Sequence, residues 1–298
     1  MPVKAQENVL AIEGSARVIA RQDGRLGSIL VEAGKLGAGG IERVLELQRI
    51  EGLRFGEAAL RLGLVTADDL RGAVAKQYGF PHLLPGSGSV SSELVVAYEP
   101  FHPRAEELRA LRTQLLIRWS NAEVRHRMLA VVSPGPGEGR SYVAANLAVA
   151  FSQLGERTLL IDADLRTPRQ HRIFNIPDRI GLSAVLCGRA DRSAVVPVPE
   201  FGTLSLLPAG ACPPNPQELL LRSAFATLLD ELRTEFDVIL FDTPPAKLYA
   251  DAQSLAFRAG SVMMLARKDH TRFADTASVI RELSDTGARV VGTVLNAF

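Results

Sequence analysis

Met128-Leu129-Ala130-Val131-Val132 runs straight into Ser133-Pro134-Gly135-Pro136-Gly137-Glu138-Gly139-Arg140-Ser141, and Tyr142-Val143-Ala144-Ala145-Asn146-Leu147-Ala148-Val149-Ala150 follows. An apolar β-type run, a glycine-rich loop and a helical run, in that order, form the context that a phosphate cradle requires. Glycines let backbone N–H groups approach phosphate oxygens, and the start of the following helix adds the positive end of its dipole. Pro136, Gly137, Glu138, Gly139, Arg140, Ser141 and Tyr142 are therefore the candidate nucleotide-binding run, with Ser141 placed to offer a hydroxyl to Mg²⁺. Against the pattern G-x-x-x-x-G-K-[ST], Pro134 replaces the first glycine and Arg140 the lysine. Guanidinium keeps the charge of ammonium but is planar and bulkier, so it alters how a phosphate is placed.

Two further stretches point to the same chemistry. Leu159-Leu160-Ile161-Asp162-Ala163-Asp164-Leu165-Arg166 puts two carboxylates at the end of an apolar run, and Phe236-Asp237-Val238-Ile239-Leu240-Phe241-Asp242-Thr243-Pro244-Pro245 puts a third in the same setting. In doubly wound sheets the carboxyl ends of strands face the ligand crevice. Asp162, Asp164 and Asp242 are thus candidates to serve Mg²⁺ and an activated hydroxyl. Apolar β-type runs at 128–133, 158–162, 204–207, 238–242, 261–266 and 290–295 alternate with helical segments. That alternation predicts an α/β fold: a doubly wound, mostly parallel sheet with helices on both faces.

Upstream the chain repeats itself. Arg25-Leu26-Gly27 opens a 24-residue segment ending at Gln48, and Arg54-Phe55-Gly56 opens a second ending at Gln77. Each reads as a short helix, a glycine turn at Gly34 or Gly63, and a second helix, with Thr66 and Asp69 spaced as a capping box. A small all-α domain before the sheet is expected. Pro81, Pro85 and the Gly/Ser run 86–92 read as linker. The organisation expected is a flexible tail over 1–20, the helical repeat over 21–84, a linker over 85–104 and the α/β domain over 105–298.

Composition narrows the function classes. Thirty-four basic residues face 33 acidic ones, so no global field attracts nucleic acid. Cys187 and Cys212 stand apart without ligand spacing, and the five histidines form no H-E-x-x-H pair. No apolar run approaches the roughly 18 residues of a membrane span, and Met1 to Glu7 do not open a signal peptide. A cytoplasmic protein is expected, with any membrane association supplied by a partner.

On the Pro136-Gly137-Glu138-Gly139 turn, the Asp162-Ala163-Asp164-Leu165-Arg166 segment and the Asp242-Thr243-Pro244-Pro245 end, residues 105–298 resemble the bacterial tyrosine kinases of capsule and exopolysaccharide export, within the deviant-Walker P-loop ATPases. The Gly-Arg-Ser variant resembles the EpsG-type chain-length regulators of that group. The resemblance implies ATP and Mg²⁺ as cofactors, Arg140 and Ser141 on the phosphates and metal, and Asp162, Asp164 and Arg140 as catalytic residues. It implies Ser141, Asp164 and Asp242 around Mg²⁺, and Asn296 at the adenine. Glu106, Arg109 and Arg112 match the family's E-x-x-R-x-x-R motif, which implies a homo-oligomer. A membrane polysaccharide co-polymerase, whose cytoplasmic tail activates the enzyme, is the implied partner and would recruit it to the inner face of the inner membrane. The chain departs from the family at its tyrosines: only Tyr78, Tyr98, Tyr142 and Tyr249 are present, and the last stretch holds no cluster of them. A non-catalytic, nucleotide-dependent assembly switch is therefore the rival reading. A partitioning or positioning ATPase of the same superfamily is a third, although its early loop lysine is absent from Ser133-Pro134-Gly135-Pro136.

The 25–77 repeat resembles the MshE-type amino-terminal domain of pilus and type II secretion ATPases, which implies cyclic di-GMP as an effector. Arg25, Leu26, Gly27 and Gly34, with Arg54, Phe55, Gly56 and Gly63, are the residues that the resemblance marks. A helical repeat used only for docking is the competing reading.

Overall fold

The computed structural model describes residues 26–78, 83, 89–120 and 127–297. The chain divides into two units, Met1–His82 and Leu83–Phe298. The predicted tail and Arg25 lie outside the described residues.

The first unit is all helix. A helix over 26–32 (α1) is followed by α2 (Ala38–Glu51), α3 (Phe55–Arg61) and α4 (Ala67–Gln77). Gly34 and Gly63 take φ of 66° and 64°, the left-handed turn at equivalent points of the two halves. Thr66 accepts from the backbone N of Asp69, and the Asp69 carboxylate answers with bonds from the Thr66 backbone N and hydroxyl. Leu26, Ile29, Leu30, Leu36, Val44, Phe55, Ala58, Ala59, Val65 and Ala73 form the core. The two repeat glycines serve this core. A Cβ on Gly27 would meet the Phe55 ring at 3.1 Å, and one on Gly56 would meet Leu70 at 2.9 Å.

The second unit carries a seven-stranded sheet: β1 (Arg127–Val132), β2 (Thr158–Asp162), β3 (Val196–Pro197), β4 (Leu204–Leu207), β5 (Val238–Asp242), β6 (Ser261–Arg267) and β7 (Arg289–Asn296). Its order is β3-β4-β2-β5-β1-β6-β7, and every pairing is parallel except the short β3–β4 edge. The six predicted runs are the six parallel strands. Two-residue β3 carries no alternation for a reader to find.

Alternate side chains point to opposite faces of the sheet. Leu129, Val131, Leu160, Leu204, Leu206, Val238, Leu240 and Met263 enter one core with α5 (Val95–Tyr98), α6 (Pro103–Ser120) and α7 (Arg140–Ser152). Met128, Ala130, Val132, Leu159, Ile161, Ile239, Phe241 and Met264 enter the other. There they meet α9 (Leu182–Leu186), α10 (Pro216–Leu221), α11 (Ser223–Glu235), α12 (Asp251–Ala259) and α13 (Phe273–Asp285), while short α8 (Gln170–Ile173) sits at the end of β2. Helix α7 is buried from Val143 to Ser152, which its small apolar sequence allows on every face.

The described part of the expected linker over 85–104 is corrected by this packing, residues 85–88 lying outside the described residues. Val90, Leu94, Val95, Val96 and Ala97 are buried in the core of the second unit, and α6 begins at Pro103 rather than Ala105. Asn146 of α7 accepts from Val96 N at 3.2 Å and donates to Glu93 O at 2.9 Å, meeting the backbone needs of this segment. The Ser/Gly/Pro composition concealed a short apolar stretch, Leu94-Val95-Val96-Ala97, which gains more from burial than a solvated linker would.

Candidate nucleotide-binding site

The site lies at the carboxyl ends of β1, β2 and β5. The loop after β1 rises over the start of α7, with Gly137 at φ 68° and Gly139 at φ 95°, both left-handed. Pro136 and Gly137 are exposed at its crest. Two clamps hold the loop shut. Glu138 is buried; its carboxylate accepts from Gly135 N at 2.7 Å and from the Thr271 hydroxyl. Arg140 is also buried. Its Nε donates to Thr243 O at 2.7 Å, and its Nη1 to Gly135 O at 2.6 Å and to the Ser133 hydroxyl. Burial pulls the Arg140 pKa down, and Asp242, Asp164 and Glu138 oppose that with their charge.

Glu138 thus shapes the loop from behind, and Arg140 ties the loop to the end of β5. Asn296, at the end of β7, donates to Glu138 O at 3.1 Å, so the predicted adenine residue reaches the loop's rim. Tyr142 is half-buried in the first turn of α7, where burial raises its pKa.

The structure brings Asp162 and Asp242 face to face: they are register partners across β2 and β5, and both are fully buried. Asp162 Oδ2 accepts from Arg169 N at 3.0 Å and Gln170 N at 2.9 Å. Asp242 Oδ2 accepts from Gln170 Nε2 at 2.8 Å, and the Ser141 side chain is near enough to draw the carboxyl's pKa down. The second oxygens, Asp162 Oδ1 and Asp242 Oδ1, are buried without a partner. Burial pushes Asp242 up to about 6, against the pull of Ser141, Gln170 and Arg140. Burial, reinforced by Asp242, pushes Asp162 well above the usual carboxylate range.

Asp164 is placed differently from its neighbours. Its carboxylate closes its own turn, accepting from Arg166 N at 3.1 Å, Thr167 N at 2.9 Å and the Thr167 hydroxyl at 2.9 Å. Beyond that turn, Arg166 pairs with buried Asp251 at 2.8 Å and stacks on Tyr249 at 4.0 Å, tying the loop after β2 to the loop after β5.

These donors fit a hydrated Mg²⁺. A serine hydroxyl and orphaned carboxylate oxygens are hard oxygen donors, the kind this cation selects. Among the described residues no group of three His, Cys, Asp or Glu side chains is arranged as a metal cage. Mg²⁺ characteristically keeps waters and phosphate oxygens around it and does not require such a cage.

The predicted assembly motif is only partly free. Arg109 pairs with Glu106 at 2.8 Å and reaches Pro100 O, while Arg112 donates to Ala150 O of α7 at 2.8 Å. Glu106 remains 73% exposed in its side chain. In the first unit, Leu26 and Phe55 are core residues, and Arg54 is exposed with its backbone N bonded to Glu57. Gln170 and Thr271 were not singled out by the sequence. They act across distant stretches, so no local spacing reveals them.

Comparison with known proteins agrees with this geometry. The ParA family, described as NUBPL iron-transfer P-loop NTPase, matches residues 124–296. Tyrosine-protein kinase YwqD of Bacillus subtilis is 34% identical over 210 residues, covering 70% of this chain and 88% of the relative. The tyrosine-protein kinase Wzc of Salmonella typhimurium is 32% identical, and there the chain spans only 28% of the relative's length. The solved kinase domain of the Escherichia coli tyrosine kinase ETK superposes with a TM-score of 0.66 at 28% identity, covering 70% of this chain and 81% of that one. The chimerical protein CapA2B2 gives 0.65 at 34% identity, covering 76% and 97%. With a ParA-type P-loop NTPase domain across its sheet and the kinase YwqD matched over 88% of that relative's length, the chain belongs to the bacterial tyrosine-kinase family.

Proposed function

We propose that this protein binds Mg·ATP at the loop 135–141 and transfers the γ-phosphoryl group to a tyrosine hydroxyl, in the control of exopolysaccharide polymerisation or export. The observation that carries the reading is the buried Asp162–Asp242 pair, with an orphaned oxygen on each, beside the Ser141 hydroxyl. Ser141 and Asp242 would hold the hydrated Mg²⁺, with Asp164 supporting its shell. The cation supplies charge neutralisation at the phosphates. Arg140 fixes the loop and brings positive charge to it, and the N–H groups of the loop cradle the phosphates. Asp162 Oδ1 takes the phenol proton as the new O–P bond forms and ADP leaves; a carboxyl whose pKa is raised suits a base. Asn296 sits at the rim where the base would lie. A membrane co-polymerase's cytoplasmic tail is the proposed activator, which places the protein at the inner face of the membrane; among the described residues no helix is long and apolar enough to cross it. Self-assembly through Glu106, Arg109 and Arg112 belongs to the same reading.

The first unit is proposed to sense cyclic di-GMP through Arg25 and Arg54, the two arginines at equivalent points of the repeat. Leu26, Gly27, Phe55 and Gly56 would support those arginines through the core instead of touching the ligand.

The test is phosphotyrosine formed from labelled ATP with the partner tail present. Tyrosine labelling that depends on Mg²⁺ supports transfer. Tight Mg·ATP binding without any labelled tyrosine would assign the assembly switch instead.

A further inference from the structure

The geometry points to Gln170 as a positioning residue that sets the magnesium dependence of nucleotide binding. This inference rests on the Mg·nucleotide reading of the site. Gln170 is fully buried and reaches three parts of the site at once. Its backbone N donates to Asp162 Oδ2 at 2.9 Å. Its Nε2 donates to Asp242 Oδ2 at 2.8 Å and to Ser141 O at 3.0 Å. One residue therefore binds the loop–helix junction, the end of β2 and the end of β5, which lie 29, 8 and 72 positions from it in the chain.

The direction of the side-chain amide follows from its neighbours. Both contacts are acceptors, a carbonyl and a carboxylate, so the NH₂ must face them; the reverse orientation would set oxygen against oxygen twice. That orientation leaves Gln170 Oε1 buried with no partner, as are Asp162 Oδ1 and Asp242 Oδ1. Three acceptor oxygens in one buried neighbourhood, each on a side chain pinned by its other polar atom, are suited to the hydrogens of a cation's water shell.

The consequence is a division of labour. Two carboxylates opposite each other in a buried setting repel, and without a donor between them their rotamers would part. Gln170 supplies donors to both, its backbone N to Asp162 Oδ2 and its Nε2 to Asp242 Oδ2, which leaves the Oδ1 of each without a protein partner. Its neighbours secure it from outside: Arg169 Nη2 pairs with both oxygens of Glu93 at 2.8 Å, and Ser91 N donates to Ile173 O at 2.8 Å. Positioning of this kind acts on the cation more than on the nucleotide, because the phosphates are held by the loop.

The experiment titrates ADP by calorimetry into the full-length protein, wild type and Gln170→Met, once in excess EDTA and once across a Mg²⁺ series. Methionine keeps the length and volume but neither donates nor accepts strongly. The expected result is a Mg²⁺ midpoint raised about tenfold, the scale of a lost hydrogen bond to a charged group, with ADP affinity in EDTA within about twofold of wild type. Gln170→Glu, which restores the acceptor but not the NH₂, should also raise the midpoint. Unchanged magnesium dependence in both variants would overturn the assignment. So would equal loss of binding with and without Mg²⁺ together with a lowered melting temperature, since that assigns Gln170 to folding alone. Wild type with no magnesium-dependent ADP binding would overturn the reading of the site itself, before any variant is compared.

Discussion

Asp162 and Asp242 stand opposite one another on adjacent parallel strands, both at zero exposure, and Gln170 bonds both, Asp162 through its backbone N and Asp242 through its side-chain amide. Burial raises the pKa of both carboxylates, and the charge of Asp242 adds to the rise at Asp162. A bound cation would oppose that rise.

The pH dependence follows. Mg²⁺ favours the ionised carboxylates, so protons compete with it as pH falls through about 6, the value to which burial lifts Asp242. Mg·ADP affinity should fall about fivefold or more between pH 7.5 and 5.5, read by calorimetry. In the ligand-free protein the sign reverses. The native state holds more protons than the unfolded chain between the ordinary carboxylate range and about 6, so these groups lower stability as pH rises through that window. Asp242→Asn should flatten both profiles.

Arg140 bonds to Ser133, Gly135 and Thr243 from within the loop. Arg140→Ala leaves those acceptors unpaired and removes the charge, and should weaken Mg·ADP binding by about 10- to 100-fold. Arg140→Lys keeps the charge and at least one bond, and should stay within about tenfold of wild type. Calorimetry at fixed Mg²⁺ checks both.

The assembly helix separates into two roles. Arg112 ties α6 to the Ala150 carbonyl of α7, so Arg112→Ala should lower the melting temperature, at a cost of about 1–3 kcal/mol. Glu106 is exposed, and Glu106→Ala should leave melting unchanged while lowering the mass seen by light scattering with ATP and partner present.

Asp69 tests the first unit. Its bonds from Thr66, helped by Lys35, hold its pKa at about 2. A depressed carboxylate contributes stability that is present above its unfolded value of about 4 and lost as pH falls through about 2. Asp69→Asn should cost about 1 kcal/mol at pH 7 and nothing at pH 1.5, measured by amide exchange in α4.

The sheet was legible because its central strands are apolar runs that end at recognisable turns, Val132 before the loop and Asp242 before Pro244 being the clearest. Asp162 and Asp242 were legible for the same reason: strand ends meet at one edge. Gln170 was not, because it acts through contacts 29 and 72 residues away. The 89–98 segment misled by composition, since Ser91, Ser92 and Gly88 hide the four apolar residues that decide its burial. The repeat around Arg25 and Arg54 was plain in spacing, yet spacing could not say that Phe55 and Leu26 turn inward.

The account's central claim, phosphoryl transfer driven by the Asp162–Asp242 pair, is tested most directly by one rate. Labelled ATP, Mg²⁺ and the partner's cytoplasmic tail are mixed with wild type or with Asp162→Asn, and phosphotyrosine is followed over time. The account predicts labelling by wild type and a loss of at least about 100-fold in the variant, with nucleotide affinity changed far less, because a base acts mainly in the transition state. Equal labelling by both proteins would contradict it.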